Sequence, residues 1–114
     1  MTALTQIIVA LIFHALDLAS GLIAAVRNKN LQSGKMRDGM FKKVGFILCY
    51  ALAFLIDTEG AAIGLNISVR ILPIIIIYSV TTEIVSILEN ISKINPDLLP
   101  AKLYAIFQVQ KEGE

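Results

Sequence analysis

Residues 3–26 read ALTQIIVALIFHALDLASGLIAAV, a run in which only His14 and Asp17 can carry a side-chain charge. At about 1.5 Å of rise per residue, a helix of this length crosses a hydrocarbon core of roughly 30 Å. The run is too long for the apolar segment of a secretory signal, and no basic residue precedes it, so it reads as a retained first span. The rest of the 114 residues follows suit: 56% of the chain is hydrophobic and mean hydropathy is +0.74. Such a chain is an integral membrane protein of one domain, residues 1–114, and not a soluble enzyme.

Two further apolar runs are present. Residues 41–58 form the second expected span, shorter than usual between charged ends, with Lys42 and Lys43 snorkelling from one end and Asp57 closing the other. Residues 70–90 form the third, where Pro73 is tolerable in the first turn because the N–H it lacks would be unpaired there. Glu83 lies inside this run, so either the helix enters water near Thr82 or the carboxyl faces protein or an aqueous cavity. The fold class is therefore all-α: three transmembrane helices, then a short interfacial helix within the tail, residues 93–114. That tail begins with the helix break at Asn95-Pro96 and resumes with helical spacing at Leu103, Ile106 and Phe107.

Net charge is only +1, but its distribution is uneven. Arg27, Lys29, Lys35, Arg37, Lys42 and Lys43 crowd residues 27–43, which read as a polar connector, in part helical along the membrane surface, with Gly34 and Gly39 weakening any strong helix. Only Arg70 is basic in the second connector, so the first is expected on the cytoplasmic side, with the N-terminus outside and the C-terminus inside. A basic cluster between two apolar runs is not the spread basic face of a nucleic-acid binder.

Each span carries a stripe of small or polar residues. Ala10, His14, Asp17, Gly21 and Ala24 share one face of the first, which makes His14 and Asp17 neighbours. Gly45, Cys49, Ala53 and Asp57 repeat every four residues in the second, a pattern that lets helices approach closely. Ser79, Glu83, Ser86, Glu89 and Asn90 form a polar strip on the third, wide enough to border water. A carboxylate in mid-membrane is costly, so Asp17 is protonated, paired with His14, or turned to a wet interior. Cys49 is the one cysteine and His14 the one histidine, so neither a disulfide within the chain nor a Cys or multi-His metal site is available, and no cofactor is expected. No phosphate loop or hydrolase motif is present, which argues against an enzyme.

Asp17-Leu18-Ala19-Ser20-Gly21, Ser33 with Gly39 and Lys43, Asp57, Tyr78, Glu83 and Ser86-Ile87-Leu88-Glu89-Asn90 together resemble the phage lysis and toxin-secretion holins of clostridial and related Gram-positive systems. The likeness spans nearly the whole chain and is most specific at Glu-x-x-Ser-Ile-Leu-Glu-Asn; Thr82 stands where such proteins often have Asn, and Ile94-Asn95 where they have Gly. The resemblance implies a homo-oligomer in the bacterial cytoplasmic membrane that opens holes at a timed moment. A cell-wall hydrolase (an endolysin) or a toxin then escapes, without necessary direct contact. On that reading His14 and Asp17 set timing, Gly21, Gly45, Cys49 and Ala53 pack helices, and Ser79, Glu83, Ser86, Glu89 and Asn90 line the hole. The alternatives are a membrane-embedded accessory or binding subunit of a larger transporter or membrane complex, and a homodimeric transporter using Asp17, Glu83 and Glu89 as ion sites.

Overall fold

A computed structural model describes residues 2–98 and residue 106. The interfacial helix expected in the tail falls almost entirely outside the described residues. Within them the chain forms helix α1 (Ala3–Arg27), helix α2 (Ser33–Glu59), a single 3-10 turn (Gly60–Ile63) and helix α3 (Ile71–Ile94). Three helices are long and apolar enough to cross a membrane, as expected, and no strand occurs among the described residues.

Local chemistry explains the helix ends. Thr2 caps α1, its Oγ1 accepting from the Thr5 N–H at 3.2 Å. The other end closes in a Schellman motif without glycine: Lys29 takes the left-handed conformation (φ 52°), the Asn30 N–H donates to the Ala25 carbonyl at 2.8 Å, and the Lys29 N–H donates to Val26 at 3.2 Å. Five residues, 28–32, then suffice to reverse the chain into α2. At the opposite end Gly64 (φ 90°) ends the 3-10 turn in a conformation that costs any other residue strain.

The second helix differs from expectation. It begins at Ser33 rather than near residue 41, so the basic stretch 33–43 is helical and the connector shrinks to residues 28–32. Gly34 and Gly39 do not break it because Lys35, Met36, Arg37, Met40, Lys42 and Lys43 are good helix formers and outweigh two glycines. At about 1.5 Å per residue α2 is about 40 Å long, more than a hydrocarbon core of roughly 30 Å requires.

Helix α3 packs against both α1 and α2 and is the most enclosed of the three. Ala10 of α1, Tyr50 and Ala53 of α2, and Leu72 and Ile76 of α3 form the apolar core near the α2–α3 end. Outward faces carry Leu4, Ile8, Ile12, Leu16, Leu48, Leu52, Leu55, Ile74 and Ile77, all exposed. In water such a surface would aggregate; in lipid it is the solvated face.

Candidate functional site

The three helices bring their charged side chains to one level at mid-bundle. His14 and Asp17 lie about halfway along α1, Lys43 lies ten residues into α2, and Glu83 is central in α3. Lys43 Nζ donates to Asp17 Oδ2 at 2.7 Å and to Glu83 Oε2 at 2.9 Å. His14 Nδ1 is 3.3 Å from the same Glu83 oxygen, while its Nε2 is 2.7 Å from the Tyr50 hydroxyl. Tyr50 in turn hydrogen-bonds Ser79, and Ser79 donates to the Ile76 carbonyl at 3.1 Å. Phe46 stacks on the His14 ring at 5.5 Å between centroids and so fixes its plane.

Towards the connector the network continues through Asn90. Its Nδ2 lies 3.1 Å from Asp17 Oδ1 and 3.0 Å from Ser20 Oγ. Gly21 makes room for it: a Cβ there would meet Asn90 Nδ2 at 3.4 Å. At the other end of the bundle the Asp57 carboxylate accepts from the Ile71 and Leu72 N–H groups, both at 2.8 Å. A residue closing α2 thereby caps α3 and satisfies amide donors that no residue within α3 can reach.

The burial of this set decides how its charges are paired. Glu83 is 1% exposed, Ser79 0% and His14 4%, and an ion so enclosed is tolerated only with partners. Lys43 supplies the compensation for both carboxylates. The sequence pattern puts Lys43 in the basic connector, snorkelling to the interface; the structure turns it inward instead. Two acids at mid-bundle outcompete solvation at the interface for that ammonium. Asp17 is paired with Lys43 and Asn90, not with His14, whose partners are Glu83 and Tyr50. For Glu83, the choice between water and protein resolves to protein.

The remaining candidates divide. Ala53 is buried in the core, and Ser86 and Asn90 are half-buried facing α1. Glu89 lines a cavity of about 350 Å³ that runs from the connector to Asp17. Gly45 has open space where a Cβ would sit, and Cys49 is exposed, so these two do not pack helices within the monomer. The inward face of α2 is Lys43, Phe46, Tyr50, Ala53 and Asp57, one step round from the small-residue stripe. Tyr50 escaped notice in the sequence, although the alternating spacing of three and four from Lys43 to Asp57 marks that face. Arg27, Lys29, Lys35, Arg37 and Lys42 all stay exposed around the connector end.

A three-helix bundle with an apolar coat and an ion-paired interior defines a small multi-span membrane protein whose polar groups face one another. Its sequence carries the matter further: the profile of the Bacteriophage holin family matches residues 2–112. The chain belongs to that family, whose members are non-enzymatic, pore-forming proteins of the inner membrane. It is also similar to an uncharacterised protein of Halalkalibacterium halodurans, 28% identical over 113 residues, which covers 99% of this chain and 82% of that protein. No solved structure matches the chain.

Proposed function

We propose that this protein accumulates in the cytoplasmic membrane as a closed three-helix bundle and then oligomerises into a hole that releases a cell-wall hydrolase or a toxin at a timed moment. The observation that carries the reading is the contrast between coat and interior. The outward surface is apolar, while Asp17, Lys43, Glu83, His14, Tyr50 and Ser79 are held inside. A bundle arranged this way is stable alone in lipid yet stores the polar surface a water-filled lumen needs.

In the open assembly the α3 strip of Ser79, Glu83, Ser86, Glu89 and Asn90 turns from its own bundle towards the shared lumen. Gly45, with open space where a side chain would sit, and the exposed Cys49 meet a sibling subunit. His14 and Asp17 belong to the cluster that must come apart first, which gives them their effect on timing. The excess of Lys and Arg at the connector end supports a cytoplasmic position for that end, with the N-terminus outside and the C-terminus inside.

Induced expression of this chain alone in a bacterium tests the reading. Delayed, abrupt depolarisation with release of a large cytosolic reporter protein is the expected result. Intact cells despite confirmed membrane insertion would move the assignment to an accessory subunit of a larger complex.

A further inference from the structure

The cavity at the connector end has a chemistry that hole formation does not use. Its volume of about 350 Å³ falls at the lower end of the range of roughly 300–1,000 Å³ usual for small-molecule sites. All three helices wall it, and the connector residues Asn30 and Gln32 stand at its mouth. Lys35, Gly39 and Lys43 recur every four residues and present one face of α2 to it. Gly39 keeps that wall open, since a Cβ there would meet nothing within 4 Å.

Charge is layered down the cavity. At its floor Lys43 pairs with Asp17, and Asn90 Nδ2 holds the second Asp17 oxygen at 3.1 Å. Nearer the mouth are two more cations, Lys35 and Lys93, and one carboxylate, Glu89. Both lysines are exposed, and neither forms an ion pair with a carboxylate among the described residues. The backbone that carries Lys93 is fixed from α1: Asn28 Nδ2 donates to the Ala24 carbonyl at 2.9 Å and to the Lys93 carbonyl at 3.2 Å. Asn30 Oδ1 accepts from Gln32 Nε2 at 2.9 Å, which leaves the Asn30 amide hydrogens for an acceptor. Arg27, Lys29, Arg37 and Lys42 are exposed at the same end of the bundle, and Asp38 is the only carboxylate in residues 27–43. A mouth set in such a positive field and furnished with N–H donors selects an anion.

The walls narrow the choice of anion. Leu22 lines the cavity and is also 42% exposed on the outer surface, and Leu18 and Met36 line it half-buried. The polar mouth is therefore continuous with the apolar coat. A free phosphate would use the cations and the amide and leave Leu18, Leu22 and Met36 bare. A phospholipid uses both, its phosphate against the lysines and its chains along Leu22. Basic residues at the end of a span are also where anionic headgroups of a cytoplasmic leaflet gather.

We propose that this cavity binds the headgroup of one anionic phospholipid from the connector-side leaflet, with its phosphate held by Lys35, Lys93 and the Asn30 amide. Leu22 belongs to α1, Lys35 to α2 and Lys93 to α3, so the bound lipid joins all three helices and stabilises the closed bundle. The site belongs to the closed bundle and does not depend on the hole-forming reading above.

Native mass spectrometry of the full chain in a non-ionic detergent, titrated with phosphatidylglycerol, tests the site. The wild type is expected to retain one phosphatidylglycerol per chain under conditions that strip phosphatidylcholine. Lys35→Gln combined with Lys93→Gln is expected to weaken retention about tenfold or more, since each cation beside an anionic lipid contributes on the order of fivefold. Gly39→Leu keeps every charge but fills the cavity, and is expected to weaken retention as far. Arg37→Gln combined with Lys42→Gln removes two cations that do not line the cavity, and is expected to change retention by less than about twofold. Equal loss in the two double variants overturns the site, because general surface charge would then hold the lipid. Full retention by a Gly39→Leu chain of unchanged helix content overturns it as well; if that chain does not fold, the two double variants decide alone. Displacement of the lipid by glycerol phosphate at equal concentration would overturn the phospholipid as ligand and leave a site for a free phosphate.

Discussion

Lys43 of α2 reaches across the bundle to Asp17 of α1, with Nζ 2.7 Å from Oδ2, and the same ammonium holds Glu83 of α3. One side chain therefore ties all three helices together at mid-depth. The arrangement is costly to assemble and costlier to break in part. Removing one member leaves a charge buried without its counter-ion, whereas neutralising all three leaves no buried charge to compensate.

Lys43→Met should therefore destabilise the closed bundle by about 3–5 kcal/mol, because two carboxylates remain with no cation between them. Adding Asp17→Asn and Glu83→Gln to the same chain should recover most of that loss. Detergent-driven unfolding from lipid–detergent mixtures, followed by helix content, measures both. Equal stability of the single and the triple variant would mean that the ion pairs do not hold the helices.

Asp57 makes a sharper local prediction. Its carboxylate takes the Ile71 and Leu72 N–H groups, so Asp57→Ala should cost about 1–2 kcal/mol and speed hydrogen exchange at those two amides first. Asn in its place retains part of the cap. Unchanged exchange at Ile71 and Leu72 would show that α3 starts without help from α2.

Tyr50→Phe removes the hydroxyl shared by His14 and Ser79 while keeping the ring that packs in the core. Leaving buried polar groups without a partner costs about 1–3 kcal/mol, so the closed state weakens. Opening should come earlier in cells at matched expression. A Tyr50→Phe chain with wild-type timing would show that this link does not bear on opening.

The outward position of Gly45 and Cys49 separates packing within a subunit from packing between subunits. Gly45→Leu meets open space in the monomer and should leave its stability unchanged or slightly raised, since glycine is a poor helix residue. The same change should obstruct assembly. Cys49, the only thiol, should form a disulfide with its counterpart under oxidation once subunits gather. Free assembly of Gly45→Leu together with no Cys49 crosslink would place the subunit interface elsewhere.

Apolar run length was enough to read the three helices, and Asp17 and Glu83 were conspicuous because a carboxylate in a span demands a partner. The identity of that partner was hidden. Lys43 sits among basic neighbours that do face outward, and a cluster of charge at the end of a span ordinarily means an interface. What separates Lys43 from Lys42 is that Lys43 heads the face running through Phe46, Tyr50, Ala53 and Asp57. The rotation of α2 was hidden for a related reason: burial of Lys43 and Tyr50 turns Gly45 and Cys49 away from the monomer's own helices. In α1, where no competing polar face exists, His14, Asp17 and Gly21 turned inward as their spacing suggests.

On the hole-forming reading, polar groups stored inside the closed bundle become the wall of the hole. Ser79 is 0% exposed in the closed form, so a Ser79→Cys chain with Cys49→Ser can be probed by a membrane-impermeant, water-soluble thiol reagent before and after opening. The expected result is protection up to the moment of depolarisation and labelling directly after it. Release of a cytosolic reporter while residue 79 stays unlabelled would contradict that reading, because the hole would then be lined by something other than this face of α3.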